Sequence, residues 1–220
     1  MQTSFCYHQL MKKVIVKYPV DVEKFPMIQD FGTDNSEHPI RKDFYKLFDN
    51  KHPGVDFATP LKTPVKAAFK GIVVRKEFHK GMGNVLGVRY CNIVALYAHL
   101  SEFKASLGEI VDSGQLLGLS GDTGAACTKP HLHFELRDIS KSPLKNMVFD
   151  PPFGKSLENL QETFVYKVNN KNTKKTLQLL ALRYFGNESY WKLLRDFNSL
   201  TASPLEVLEQ GLEVIIPNFE

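Results

Sequence analysis

Residues 129–138 read KPHLHFELRD, and the fold turns on how that stretch is placed. Polar and apolar residues alternate through it, which predicts a strand. In a strand, residues two apart share a face. His131 and His133 therefore point one way, and Leu132, Phe134 and Leu136 point the other way, into a core. A lone histidine there reads best as a packed core residue. Two on one face gain nothing from each other as neutral imidazoles, and a shared metal ion is the economical partner.

Outward from this strand the chain keeps the same character up to about residue 155. TPVKAAFKGIVVRKEF, GNVLGVRY, NIVALYAHL and GEIVDSGQLLGLSG are short β-branched runs separated by glycine and proline. They predict an antiparallel, mainly β domain over residues 1–155. Asp150-Pro151-Pro152 and Gly154 then punctuate the chain, and the polar SLENLQET reads as a linker over residues 156–163. Beyond it the period changes. Leu177, Leu180, Ala181 and Tyr184 fall at helical spacing, as do Tyr190, Leu193, Leu194 and Phe197. Gly186 would stop the first helix, and Ser189 could cap the second. FVYKV precedes the helices and LEVIIP follows them, so residues 164–218 predict a small β-α-α-β unit. The fold class is α+β.

Bulk properties narrow the function. With 43% hydrophobic and 24% charged residues, 220 residues can build a real core. No apolar run is long enough to span a bilayer, so no transmembrane segment is expected. A formal net charge of +4 suits an anionic polymer, but it is too small and too dispersed to argue for nucleic acid. Cys6, Cys91 and Cys127 are an odd number without metal-site spacing and read as small buried apolar residues. The N-terminus shows no secretory signal, because Lys17 and Pro19 interrupt VIVKYPV.

Two more stretches offer ligands. HPGVDFATP places His52 four residues before Asp56, and Pro53 and Gly54 argue for a turn entering a strand rather than a helix. Alone, it reads equally as a capped turn with a surface histidine. ALYAHLS places His99 after an apolar run, where it could be a packed residue. Together the three stretches hold more imidazoles than a core needs, plus a carboxylate. Catalytic zinc takes three N/O ligands and keeps one position for water. Further histidines could orient that water or stabilise an oxyanion. Two histidines and a carboxylate also describe a non-haem iron site, although the extra imidazoles suit hydrolysis better.

HPGVD, LYAHL and PHLHFEL, in this order, resemble the lysostaphin/LytM-type zinc metallopeptidases, which cut peptide cross-links of bacterial peptidoglycan. TPVKAAFKGIVV, the glycine turn from Gly81 to Asn84 and GEIVDSGQLLGLSGDTG extend the resemblance over roughly residues 30–152. It implies a two-sheet antiparallel fold with an open groove, Zn2+ held by His52, Asp56 and His133, and a water flanked by His131 and His99. Lys129 stands where that family usually has glycine, at the lip of the site. Cys127 is read as structural. FVYKV, TLQLLALRYFGNESYWKLLRDFN and GLEVIIP resemble a LysM domain, which binds N-acetylglucosamine-containing glycan. Here NNKNTKKT replaces the usual Gly-Asp-Thr loop after the first strand.

These resemblances imply a zinc endopeptidase acting on stem or cross-bridge peptides of peptidoglycan, as a monomer in the cell envelope, periplasmic or extracellular, by an export route that the sequence does not display. A non-catalytic envelope binder or hydrolase activator on the same fold is the alternative. Because ligand histidines must be neutral, activity is expected to fall as pH drops through about 6. His8, His38 and His79 match no motif and read as surface or loop.

Overall fold

The computed structural model describes residues 13–34, 36–37 and 41–218. Cys6, His8 and His38 lie outside the described residues. The strands in chain order are β1 (Met27–Gln29), β2 (Val55–Phe57), β3 (Pro64–Lys66), β4 (Gly71–His79), β5 (Gly83–Tyr90), β6 (Ile93–Phe103), β7 (Ile110–Val111), β8 (Leu116–Ser120), β9 (Leu132–Asp138) and β10 (Val148–Phe149). Two short helices, α1 (Lys42–Tyr45) and α2 (Leu144–Met147), lie between them. Every strand pairing is antiparallel, and the principal order is β1-β2-β9-β6-β5-β4-β7.

The expected two sheets form one hydrogen-bonded network instead. The cause is the length of β6: Ile93 to Ala98 pair with β9, whereas Leu100 to Phe103 pair with β8, which also takes β3. One strand thus serves both limbs.

The alternation read in KPHLHFELRD holds. Leu132, Phe134 and Leu136 are fully buried in the main core with Val55, Phe57 and Tyr97. Each such side chain contributes about 1.5–3 kcal/mol of burial. The opposite face of β9 carries His133, Glu135 and Arg137. Register then fixes the neighbours of His133: Asp56 lies directly across on β2, and Ala98 on β6.

The tail folds as predicted in outline: β11 (Thr163–Lys167), α3 (Leu177–Phe185), α4 (Trp191–Phe197) and β12 (Glu213–Pro217), with β11 and β12 paired antiparallel. Thr176 Oγ1 accepts a bond from the Leu179 amide and caps α3, and Gly186 ends it in the left-handed conformation at φ 67°. The second helix departs from expectation. Asn187, not Ser189, supplies the cap: its side chain accepts from the Ser189 amide, and a single 3-10 turn precedes α4. Of the predicted stripe only Leu194 is buried, while Leu193 and Phe197 remain exposed.

The segment read as a linker is packed. Leu157 joins the main core, and the Gln161 amide donates to the Asn92 side chain at 2.7 Å. No helix among the described residues is long and apolar enough to cross a membrane.

Candidate metal centre

His52, Asp56 and His133 meet at one point. His52 Nε2 lies 3.1 Å from His133 Nδ1 and 3.2 Å from Asp56 Oδ1. His133 Nδ1 lies 2.8 Å from Asp56 Oδ1. All three side chains are buried. Bonds of about 2.0–2.2 Å to one tetrahedral ion would separate the donor atoms by about 3.3 Å, close to what is seen. One proton on His133 Nδ1 can satisfy only one of its two partners, whereas a cation satisfies all three donors. The residues therefore fit a divalent metal.

The remaining ring nitrogens orient the donors. His52 Nδ1 faces the Asp30 carbonyl at 3.1 Å, and a proton donated there leaves the Nε2 lone pair toward the centre. His133 Nε2 faces Glu135 at 3.4 Å, which leaves Nδ1 as the inward atom. Glu135 is itself paired with Arg137. Burial would raise the Asp56 pKa, but bonds from His133 and His52 hold it well below the usual carboxylate range. Burial opposes a proton on His133, yet Asp56 and Glu135 raise its pKa to about 9. These groups together favour positive charge at their meeting point.

His131 and His99 stand beside the trio. Each ties Nδ1 to a backbone carbonyl at 2.7 Å, His131 to Lys129 and His99 to Thr123. Their rings lie 4.6 Å apart. His131 Nε2 is 3.6 Å from Asp56 Oδ2. Burial, aided by the neighbouring imidazoles His131 and His133, pushes the His99 pKa down to about 3. Burial also lowers that of His131, against the pull of Asp56. Both are neutral imidazoles near neutral pH. Strict alternation would send His99 into the core beside Tyr97. A register shift against β5 and a left-handed backbone at φ 60° turn it to the His131 side instead. The pocket over the centre has a volume of about 20 Å³, room for one water.

The sequence reading missed several neighbours. Arg41 Nη1 lies 3.7 Å from Asp56 Oδ2 and also donates to Tyr45 Oη and Gln29 Oε1, while its Nε donates to the Ala126 carbonyl. Nothing in the local pattern around Arg41 signals this. Cys91 is buried as expected, but Cys127 is only half-buried, and its thiol lies 3.3 Å from His131 Nδ1. Its place beside the centre departs from the packed-thiol reading. His79 ends β4, and its Nδ1 accepts from the Gly81 and Met82 amides.

Residues 50–147 match the family model of Peptidase family M23. The peptidoglycan DD-endopeptidase ShyA of Vibrio cholerae serotype O1 is 34% identical over 148 residues, 67% of this chain and 32% of ShyA. The chain spans about a third of the length of the curated relatives it matches. The catalytic domain of the antimicrobial peptidase lysostaphin from Staphylococcus simulans superposes with a TM-score of 0.50 at 31% identity, over 59% of this chain and 91% of that domain. A zinc-containing peptidase from Vibrio cholerae gives 0.51 at 29% identity, over 63% of this chain and 40% of that one.

Proposed function

The chain belongs to peptidase family M23, and from that premise we propose that it is a zinc-dependent endopeptidase hydrolysing peptide bonds of bacterial peptidoglycan. The observation that carries the reading is the convergence of His52 Nε2, His133 Nδ1 and Asp56 Oδ1, the proposed ligands. What zinc supplies at such a site is Lewis acidity, which brings the pKa of water to about 7 and polarises a carbonyl oxygen.

The chain's own side chains do the rest. With Nδ1 committed to carbonyls, His131 and His99 turn an acceptor Nε2 to the pocket. That atom orients the attacking water and takes its proton. Once protonated it donates, steadying the tetrahedral oxyanion and returning the proton to the leaving amine. Arg41 places positive charge 3.7 Å from the Asp56 carboxylate. Residues 1–155 form the proposed peptidase domain. The β-α-α-β tail, residues 164–218, is the proposed LysM-like glycan-binding module, and a peptidoglycan substrate would put the protein's work in the cell envelope.

Purified sacculi incubated with the zinc-loaded protein, followed by mass spectrometry of the released fragments, test the reading. New amine and carboxylate ends within the stem or cross-bridge peptides are expected. His131→Ala should cut at least a hundredfold more slowly while retaining close to one zinc per chain. Undiminished turnover in that variant would remove the role given to His131. Cleavage of glycosidic bonds instead would overturn the peptidase reading.

A further inference from the structure

The sheet face that carries the metal centre continues away from it into a second cleft. Along β9, His133, Glu135 and Arg137 follow one another, and Arg137 reaches a cavity of about 440 Å³ between the sheet and α3. Val94 and Leu96 line this cavity and share an apolar cluster with Met82, which borders the metal pocket. The two sites thus lie on one continuous floor. Four residues of strand, roughly 13 Å, separate His133 from Arg137.

The cleft combines apolar walls with cations that have no acidic partner. Leu107, Leu179 and Leu182 line it and stay about 40% exposed. Arg75 pairs with Glu77, and Arg137 with Glu135. Arg89 and Arg183 line the same cavity, stacked on Phe185 and on Tyr166 and Tyr184, and among the described residues no carboxylate lies within ion-pair distance of them; the Lys76 ammonium lies over Phe103, outside it. Arg89 is 1% exposed, and its Nε has no hydrogen-bond partner. Its other donors reach only the carbonyls of Cys91 and Pro217. Burial lowers its pKa to about 10. A buried cation without a countercharge is costly, and an anion in the cleft would offset that cost.

We propose that this cleft is a remote subsite for a carboxylate-bearing peptide, holding the acidic arm of a substrate whose scissile bond lies at the metal centre. The proposal rests on the peptidase reading above. Leucine, valine and isoleucine walls suit alkyl side chains with carboxylates set among them. A polyphosphate chain would find few unpaired cations and an apolar lining.

The test is titration calorimetry on the full chain with two synthetic peptides. One is the stem pentapeptide L-Ala-γ-D-Glu-L-Lys-D-Ala-D-Ala, and the other is the same peptide with its carboxylates amidated. Wild type is expected to bind the acid form at least tenfold tighter than the amide. The preference should fall below twofold in the Arg183→Gln variant, whose change lies at the exposed rim. It should persist in His52→Ala, where only the metal centre is altered. Equal binding of acid and amide by wild type would overturn the subsite. So would a preference that survives the rim variant and vanishes in His52→Ala, since the anion would then sit at the metal centre. Tighter binding of poly(glycerol phosphate) than of the acid peptide, lost in the rim variant, would overturn the peptide as occupant. Sacculus cleavage is scored in parallel: an intact preference in a wild type that cuts nothing would overturn the catalytic reading while supporting the subsite.

Discussion

Each ring nitrogen of His133 faces a carboxylate, Asp56 at Nδ1 and Glu135 at Nε2. Burial would raise the Glu135 pKa, but Arg137 and His133 hold it down at about 2. That fixed negative charge keeps the Nε2 proton in place and leaves Nδ1 free to bind an ion. Glu135→Gln should therefore weaken metal affinity by about 10–100-fold, measured by competition with a chromogenic chelator. Unchanged affinity would show that Glu135 does not orient His133. The same two-residue rule that paired His131 with His133 reaches Glu135, so its place on the site face was legible. Its burial and its tie to Arg137 were not, because both depend on what covers the sheet. Arg41 lies fifteen residues before Asp56 and comes near it only through tertiary packing.

At the scale of elements, the strand around HxH and the turn from His52 into β2 follow directly from alternation and from Pro53-Gly54. The orientation of His99 does not, because it depends on a bulge between β5 and β6. Gly83, the first residue of β5, has φ +66°, and a Cβ there would come within 2.3 Å of the Thr123 backbone. Thr123 is the residue whose carbonyl holds His99. Gly83→Ala is expected to cost about 1–3 kcal/mol of stability and to reduce cleavage while metal content is retained. A variant as stable and active as wild type would show that the Gly83–Thr123 contact does not position His99.

The end of β9 carries a pH signature. Burial would raise the Asp138 pKa, but bonds from Ser140 and Asn92 lower it below the ordinary value of 3.8. A carboxylate depressed in the folded state contributes stability above its unfolded pKa and loses it as pH falls through the folded value. The stability gap between wild type and Asp138→Asn should thus be widest near pH 6 and shrink below about pH 4. Urea unfolding midpoints at pH 6 and pH 3 measure it. A gap that does not change with pH would contradict the assignment.

Over the whole molecule, the tail is joined to the sheet by more than chain connectivity. Ile72 of β4 lies in the tail's apolar cluster, Arg89 donates to the Pro217 carbonyl, and the Cys91 amide donates to Asn218. The change of period near residue 164 made the tail visible in the sequence. Its docking was not visible, since Arg89 sits in an ordinary strand pattern and becomes distinctive only when buried. The full chain is expected to melt in one calorimetric transition, and two well-separated transitions would show that the tail and sheet fold independently.

The arrangement of the whole molecule serves one convergence, three donor atoms from β2, β9 and the turn before β2. Anomalous diffraction above the zinc edge, from crystals of the zinc-loaded full chain, tests it directly. One strong peak is expected about 2.0–2.2 Å from His52 Nε2, His133 Nδ1 and an Asp56 carboxylate oxygen. A peak that lacks any of the three, or lies elsewhere in the fold, would contradict the metal centre and the hydrolysis built on it.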